Sequence, residues 1–267
     1  MPLFHLILVA AIQGLTEFLP VSSSGHLILL PHLTGLDDQG QAIDVAVHVG
    51  TLFAVMLYFW SDVKLALSGL PRALMGRIDT EGAKLAFLLI ISSIPVVAFG
   101  LILKLTGLDH ELRSIAVIGW TMLIFGIVLY WADQAGESTR KTEDWTLRDA
   151  MVMGVWQAIA LIPGTSRSGI TITGARFMGY ARSDAARLAM LMSIPTIIES
   201  GALLMGTTAY NADIGLMRDG AIAAGFAFIA ALLSLVLMMR LLRSVSFTPY
   251  VIYRVILGIT LLIIAYS

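Results

Sequence analysis

Three short stretches of this sequence concentrate side chains that could do chemistry. Arg167 lies in Pro163-Gly164-Thr165-Ser166-Arg167-Ser168-Gly169-Ile170-Thr171, between two serines and ahead of an expected helix start. A guanidinium forks onto two phosphate oxygens. A helix N-terminus adds free N–H groups and the positive end of its dipole. The stretch therefore reads as an anion cradle, against the competing reading of an arginine that snorkels or pairs structurally with Glu17. Glu17 follows Gln13 by four residues, so the two share one helical face. A carboxylate beside an amide can hold a divalent metal or accept a proton. His26 closes Ser22-Ser23-Ser24-Gly25-His26 and could be a general base, a general acid or a nucleophile. One of the serines becomes the nucleophile if His26 or Glu17 removes its proton.

The elements that position these residues must be membrane helices. Hydrophobic residues make up 58% of 267 and charged residues 13%, about half the charged share of a soluble domain at roughly 25%. The composition excludes a disordered chain, a coiled coil and a soluble enzyme. The net charge of −1 gives no basic excess for nucleic acid, and the lack of cysteine excludes disulfides, zinc–thiolate sites and cysteine nucleophiles. Six apolar runs, roughly 43–60, 85–103, 115–132, 187–208, 220–239 and 248–267, each suffice for a crossing of about 20 residues. The first 35 residues lack a basic leader and a small-residue cleavage site and are not expected to be a signal peptide.

Two further apolar segments are broken in the middle, 3–34 at Pro20 and Ser22-Ser23-Ser24-Gly25, and 151–179 at Pro163-Gly164 and Ser166-Arg167-Ser168-Gly169. Either could be one broken span or a re-entrant helix–loop–helix. If both are re-entrant, twelve Lys and Arg face one side and Lys104, Arg113 and Arg218 the other; if both cross, the split is eight against seven. Basic residues mark the cytoplasmic side, so the re-entrant arrangement is expected, with both termini outside. At an offset of 144 residues Gln13 matches Gln157, Ser22 matches Ser166, Ser24 matches Ser168 and Gly25 matches Gly169. Three full spans follow each broken segment. The expected fold is an all-α integral membrane domain over 1–267, with six transmembrane helices and two re-entrant segments. Its halves, about 1–135 and 145–267, form an inverted-topology repeat with a site at their interface. Asp44 and His48 open one face of the first span, while Glu199 and Arg254 lie within later spans, expected to be structural and able to pair with each other.

With those residues in hand, the chain resembles the bacterial undecaprenyl-diphosphate phosphatases, also called the bacitracin-resistance family. That family's (E/Q)xxxE, PVSSxGH and PGxSRSxxT motifs read here as Gln13 to Glu17, Pro20 to His26 and Pro163 to Thr171, in order. The resemblance runs end to end. It implies hydrolysis of undecaprenyl diphosphate to undecaprenyl phosphate and free phosphate, which recycles the lipid carrier of peptidoglycan synthesis and leaves bacitracin less diphosphate to sequester. It implies an inner-membrane enzyme with a periplasm-facing site, dependent on magnesium or calcium, and compatible with a homodimer. The implied functional positions are Glu17, Ser22, Ser23, His26, Ser166, Arg167 and Thr171. Gln13 replaces the glutamate that some members have, leaving one carboxylate where they have two.

In the working scheme Arg167, with Ser22, Ser166, Ser168 and Thr171, holds the phosphate oxygens. Glu17 and Gln13 position a divalent cation. The attacker is Ser23 assisted by His26, His26 itself, or water. A transporter or flippase of polyprenyl phosphate would suit the same inverted repeat. A type-2 phosphatidic-acid phosphatase fits poorly: no basic KxxxxxxRP element precedes Ser22-Ser23-Ser24-Gly25-His26, and position 173 is Thr.

Overall fold

A computed structural model describes residues 1–35, 38–108, 112, 114–208 and 214–267, leaving out the side chains of 32–33, 202–208 and 214. Arg113, counted above among the basic residues, lies outside the described residues. The described chain is helical, with one isolated bridge between Arg140 and Tyr180. The helices are α1 (Leu3–Thr16), α2 (Ser23–Thr34), α3 (Gln41–Tyr58), α4 (Trp60–Leu74), α5 (Glu81–Thr106), α6 (Ile115–Ala135), α7 (Leu147–Ala158), α8 (Arg167–Phe177), α9 (Arg182–Thr208), α10 (Ile214–Leu241) and α11 (Thr248–Tyr266).

Among the described residues, α3, α5, α6, α10 and α11 are long and apolar enough to cross a membrane. The remaining expected span, 187–208, falls within the 27-residue helix α9. The expected first span ended at residue 60, but the chain turns at Phe59 (φ −100°, ψ 34°) and α4 follows at once. That helix had no counterpart in the sequence reading. Its Asp62, Lys64, Ser68 and Arg72 break the apolar run, so hydropathy alone reads it as a loop.

The two broken segments form helix–loop–helix pairs, α1–α2 and α7–α8. The four helices have 14, 12, 12 and 11 residues, short of the roughly 20 needed to cross. The breaks are alike. Ser22 (φ 72°) and Ser166 (φ 70°) are the only non-glycine residues with positive φ among those described. Each caps the next helix, its Oγ accepting from Gly25 N–H at 3.4 Å or Gly169 N–H at 3.2 Å. A left-handed serine costs about 1–3 kcal/mol and persists only where its surroundings enforce it.

Packing joins early helices to late ones. Helix α1 lies on α10, α7 lies on α5, α3 packs against both α10 and α9, and α6 packs against α11. Close approach needs glycine: a Cβ on Gly14 would sit 2.6 Å from the Ala227 carbonyl oxygen of α10. At the basic end, Asp133 accepts from Arg182 at 2.7 Å and lies 3.3 Å from Arg176, joining α6, α8 and α9.

Candidate active site

The two loops meet over one cavity of about 220 Å³, lined by Glu17, Ser22, Ser23, Ser24, His48, Gln157, Ser166, Arg167 and Thr196, among others. Its polar centre is Glu17, which lies just past α1 and is only 7% exposed. One carboxylate oxygen pairs with the Arg167 guanidinium. The other accepts from Gln13 Nε2 at 2.8 Å and from Ser23 Oγ at 2.6 Å. His48 Nε2 lies 3.9 Å from that same oxygen. Arg167 also donates to the Ser193 carbonyl at 3.0 Å, which fixes its fork from the α9 side.

Ser23 and Arg167 occupy equivalent places in the two segments. Each is the first residue of its helix, directly after the left-handed serine cap. The first N–H groups of a helix lack intrahelical partners, so α2 and α8 both bring donors and positive dipole ends to the cavity. One segment thus delivers a hydroxyl and the other a cation, and both meet on Glu17. The anion-cradle reading and the structural-pair reading of Arg167 coincide in one geometry: the arginine is held by a carboxylate beside a space lined with hydroxyls.

The other sequence candidates divide. Ser22 and Ser166 line the cavity, while their Oγ atoms also approach Ser24 and Ser168 at 3.4 and 3.2 Å. Ser168 is 4% exposed and donates to the Leu19 carbonyl at 2.9 Å, tying one loop to the other. Thr171 is fully buried and donates to the Arg167 carbonyl at 2.8 Å. Ser168 thus ties the loops together and Thr171 bonds within α8, and neither hydroxyl lines the cavity. Gln13 turns its amide nitrogen, not its oxygen, to Glu17.

The expectation of His26 beside Ser23 is not what the geometry places there: the ring bonds elsewhere. Its Nδ1 lies 2.6 Å from the Ser22 carbonyl and its Nε2 lies 2.5 Å from the Tyr253 hydroxyl. A carbonyl only accepts, so Nδ1 carries the proton and Tyr253 donates to Nε2. Both ring nitrogens are engaged, and Glu17 takes the place beside Ser23. Nor does Arg254 pair with Glu199: its guanidinium bonds to backbone carbonyls, and a Glu199 carboxylate oxygen is buried without a partner.

Sequence reasoning gave His48 no role in the site, yet it is the imidazole that lines the cavity. Its Nδ1 lies 2.7 Å from the Asp44 carbonyl, which leaves Nε2 as the nitrogen facing Glu17. Gln157, matched to Gln13 at the 144-residue offset, also lines the cavity, donating to Thr196 at 3.1 Å while its Oε1 is buried and unpartnered. In the sequence, the 144-residue offset already singled out Gln157. His48 gave no signal beyond lying on a helix face.

Among the described residues, no group of three or more His, Asp or Glu side chains could hold a metal. Magnesium needs less from protein, taking one or two carboxylates with substrate oxygens and water. The Glu17 carboxylate is a hard anionic donor of the kind such an ion takes.

Comparison with known proteins places the chain in a family. The bacitracin resistance protein BacA family model matches residues 6–260. The chain is similar to an undecaprenyl-diphosphatase of Dinoroseobacter shibae (strain DSM 16493 / NCIMB 14021 / DFL 12), 72% identical over 100% of both chains. It is similar to one of Jannaschia sp. (strain CCS1), 69% identical over 100% of both. It is also similar to one of Teredinibacter turnerae (strain ATCC 39867 / T7901), 43% identical over 98% of this chain and 99% of the other. A match that covers all three motif stretches and nearly every helix makes this chain a member of the bacitracin resistance protein BacA family.

Proposed function

We propose that this protein is a membrane phosphatase that hydrolyses undecaprenyl diphosphate to undecaprenyl phosphate and inorganic phosphate. The observation that carries the reading is the meeting of Ser23, Glu17 and Arg167 at the junction of the two broken helices. In the proposed reaction the Ser23 oxygen attacks the terminal phosphorus as its proton passes to Glu17. The bond to the bridging oxygen breaks, and undecaprenyl phosphate leaves. Water then attacks the phosphoserine, giving inorganic phosphate and regenerating Ser23. Arg167 and the N–H groups of α2 and α8 hold the non-bridging oxygens, since phosphoryl transfer rests mostly on positioning and charge stabilisation. His26 acts on the Ser22 turn, and Gln13 orients Glu17. A magnesium or calcium ion held at Glu17 would neutralise charge on the diphosphate.

The proposed setting is the bacterial inner membrane. Six spans and two re-entrant segments form one domain of inverted halves, with the cavity and both termini on the outer side. The short α1, α2, α7 and α8, the paired left-handed serines and the packing of α1 on α10 and of α7 on α5 support this arrangement. Removing diphosphate from the outer leaflet would also compete with bacitracin for its target.

The test is phosphate release from undecaprenyl diphosphate by purified protein in detergent, with magnesium, with EDTA, and for Arg167→Ala and Glu17→Ala. Metal-dependent release that disappears in both variants is expected. A folded wild-type protein that releases no phosphate refutes the proposal. Movement of labelled lipid across liposomes without hydrolysis would then identify a transporter.

A further inference from the structure

Arg254 on α11 is completely buried, and among the described residues it makes no ion pair. A buried cation is costly unless its donors are satisfied. Here every hydrogen bond goes to a backbone carbonyl. Nη1 donates to Pro20 at 3.4 Å; Nη2 donates to Thr165 at 2.8 Å, Gly164 at 3.2 Å and Thr121 at 3.4 Å; Nε donates to Met122 at 3.3 Å. One guanidinium therefore joins both broken loops to α6.

The carbonyls it holds lie just ahead of the reacting groups. Pro20 is three residues before Ser23, and Thr165 is two before Arg167. Between them stand Ser22 and Ser166, whose left-handed backbone must be enforced from outside. The peptide unit is planar and trans, so a Thr165 carbonyl turned to Arg254 points the Ser166 N–H the opposite way. The same helix holds the first loop a second time, because Tyr253 bonds to His26 and His26 to the Ser22 carbonyl.

We infer that Arg254 is a positioning residue that fixes the two broken loops against each other, setting Ser23 and Arg167 on a single phosphate. This rests on the phosphatase reading. Arg254 is screened from the cavity by the loops it holds, so its effect on turnover passes through them.

Arg254→Lys and Gly126→Ala test the inference by steady-state phosphate release in detergent. Lysine keeps the charge but presents one compact head that cannot reach both loops. Its kcat falls about 100-fold, the scale of an ångström of misplacement, while KM stays within about threefold. Gly126 faces the stem of Arg254. A Cβ there would lie 3.2 Å from Arg254 Cβ, closer than ordinary contact, and 3.7 Å from Nε, so alanine pushes on the stem of Arg254 by a few tenths of an ångström. Its kcat falls about three- to tenfold. The double variant falls no further than Arg254→Lys alone, because both act through one group. Wild-type kcat in folded Arg254→Lys overturns the inference, as does a loss that appears only in KM or only in proportion to unfolded protein. If Arg254→Lys does not fold, Gly126→Ala decides, and wild-type kcat in that variant overturns it. A wild-type enzyme with no phosphate release in the same assay refutes the phosphatase reading instead.

Discussion

Replacing Glu17 by Gln keeps the shape of the side chain and removes its charge, and two consequences separate in the assay. In the wild type the carboxylate accepts from Ser23, Gln13 and Arg167 together. A glutamine oxygen can serve only part of that set, and its amide nitrogen must face another donor. Ser23 then loses its proton acceptor, which is worth about 10²–10⁴ in rate. A kcat lowered about 10³-fold, or about 4 kcal/mol in barrier, is expected. Arg167 meanwhile loses its partner. Breaking a fully buried pair costs about 3–5 kcal/mol, but Arg167 is 16% exposed, so the lower end of that range is expected in stability. The freed guanidinium is more available to phosphate, so KM should stay level or fall. Phosphate release against substrate concentration, with thermal unfolding of the same preparation, reads all three quantities. A kcat within tenfold of wild type would refute Glu17 as the base. A KM raised tenfold at unchanged kcat would show instead that Glu17 serves substrate binding alone.

Other perturbations probe the scaffold. Tyr253→Phe removes the donor to His26 Nε2 and frees one anchor of the Ser22 turn; a severalfold loss of kcat at unchanged thermal midpoint is expected, and unaltered kcat would show the contact idle. At the start of α7, burial would raise the Asp149 carboxyl, but Arg140 and Thr146 outweigh burial and hold it at about 2 against an ordinary 3.8. The folded state therefore gains about 2 kcal/mol from Asp149 above about pH 4 and loses it as pH falls toward 2. Unfolding midpoints across that window should drop more steeply in wild type than in Asp149→Asn, and parallel curves would contradict the assignment. Gly164 adopts φ +86° where the second loop presses on Thr121 and Ile118. Gly164→Ala should cost at least about 1 kcal/mol in stability and lower kcat, both measurable on one detergent preparation.

Much of this protein is legible along the chain because bilayer burial leaves a one-dimensional record. A helix in lipid must stay apolar over its whole length, so α3, α5, α6, α10 and α11 stand out by hydropathy. Pro20, Gly164 and the serine clusters mark the two breaks, since backbone that leaves a helix at that depth needs its own polar partners. Glu17, Ser23 and Arg167 were also visible, being polar or charged groups where such groups are costly. Amphipathic α4 was not, because a surface helix carries no long apolar run.

Only the tertiary structure decided which polar groups meet. Sequence proximity favoured His26 as the helper of Ser23, but α2 turns that ring toward the Ser22 carbonyl and Tyr253, while α3 carries His48 to Glu17 from 31 residues further along. Arg254 and Glu199 suggested an ion pair by charge. The fold gave the arginine backbone carbonyls instead, because two broken loops expose more acceptors than they can satisfy themselves. Spacing along one helix predicts a shared face. The meeting of Ser23 and Arg167 on Glu17, from positions 144 residues apart, depends on two short helices from distant parts of the chain beginning at one point, which no local pattern records.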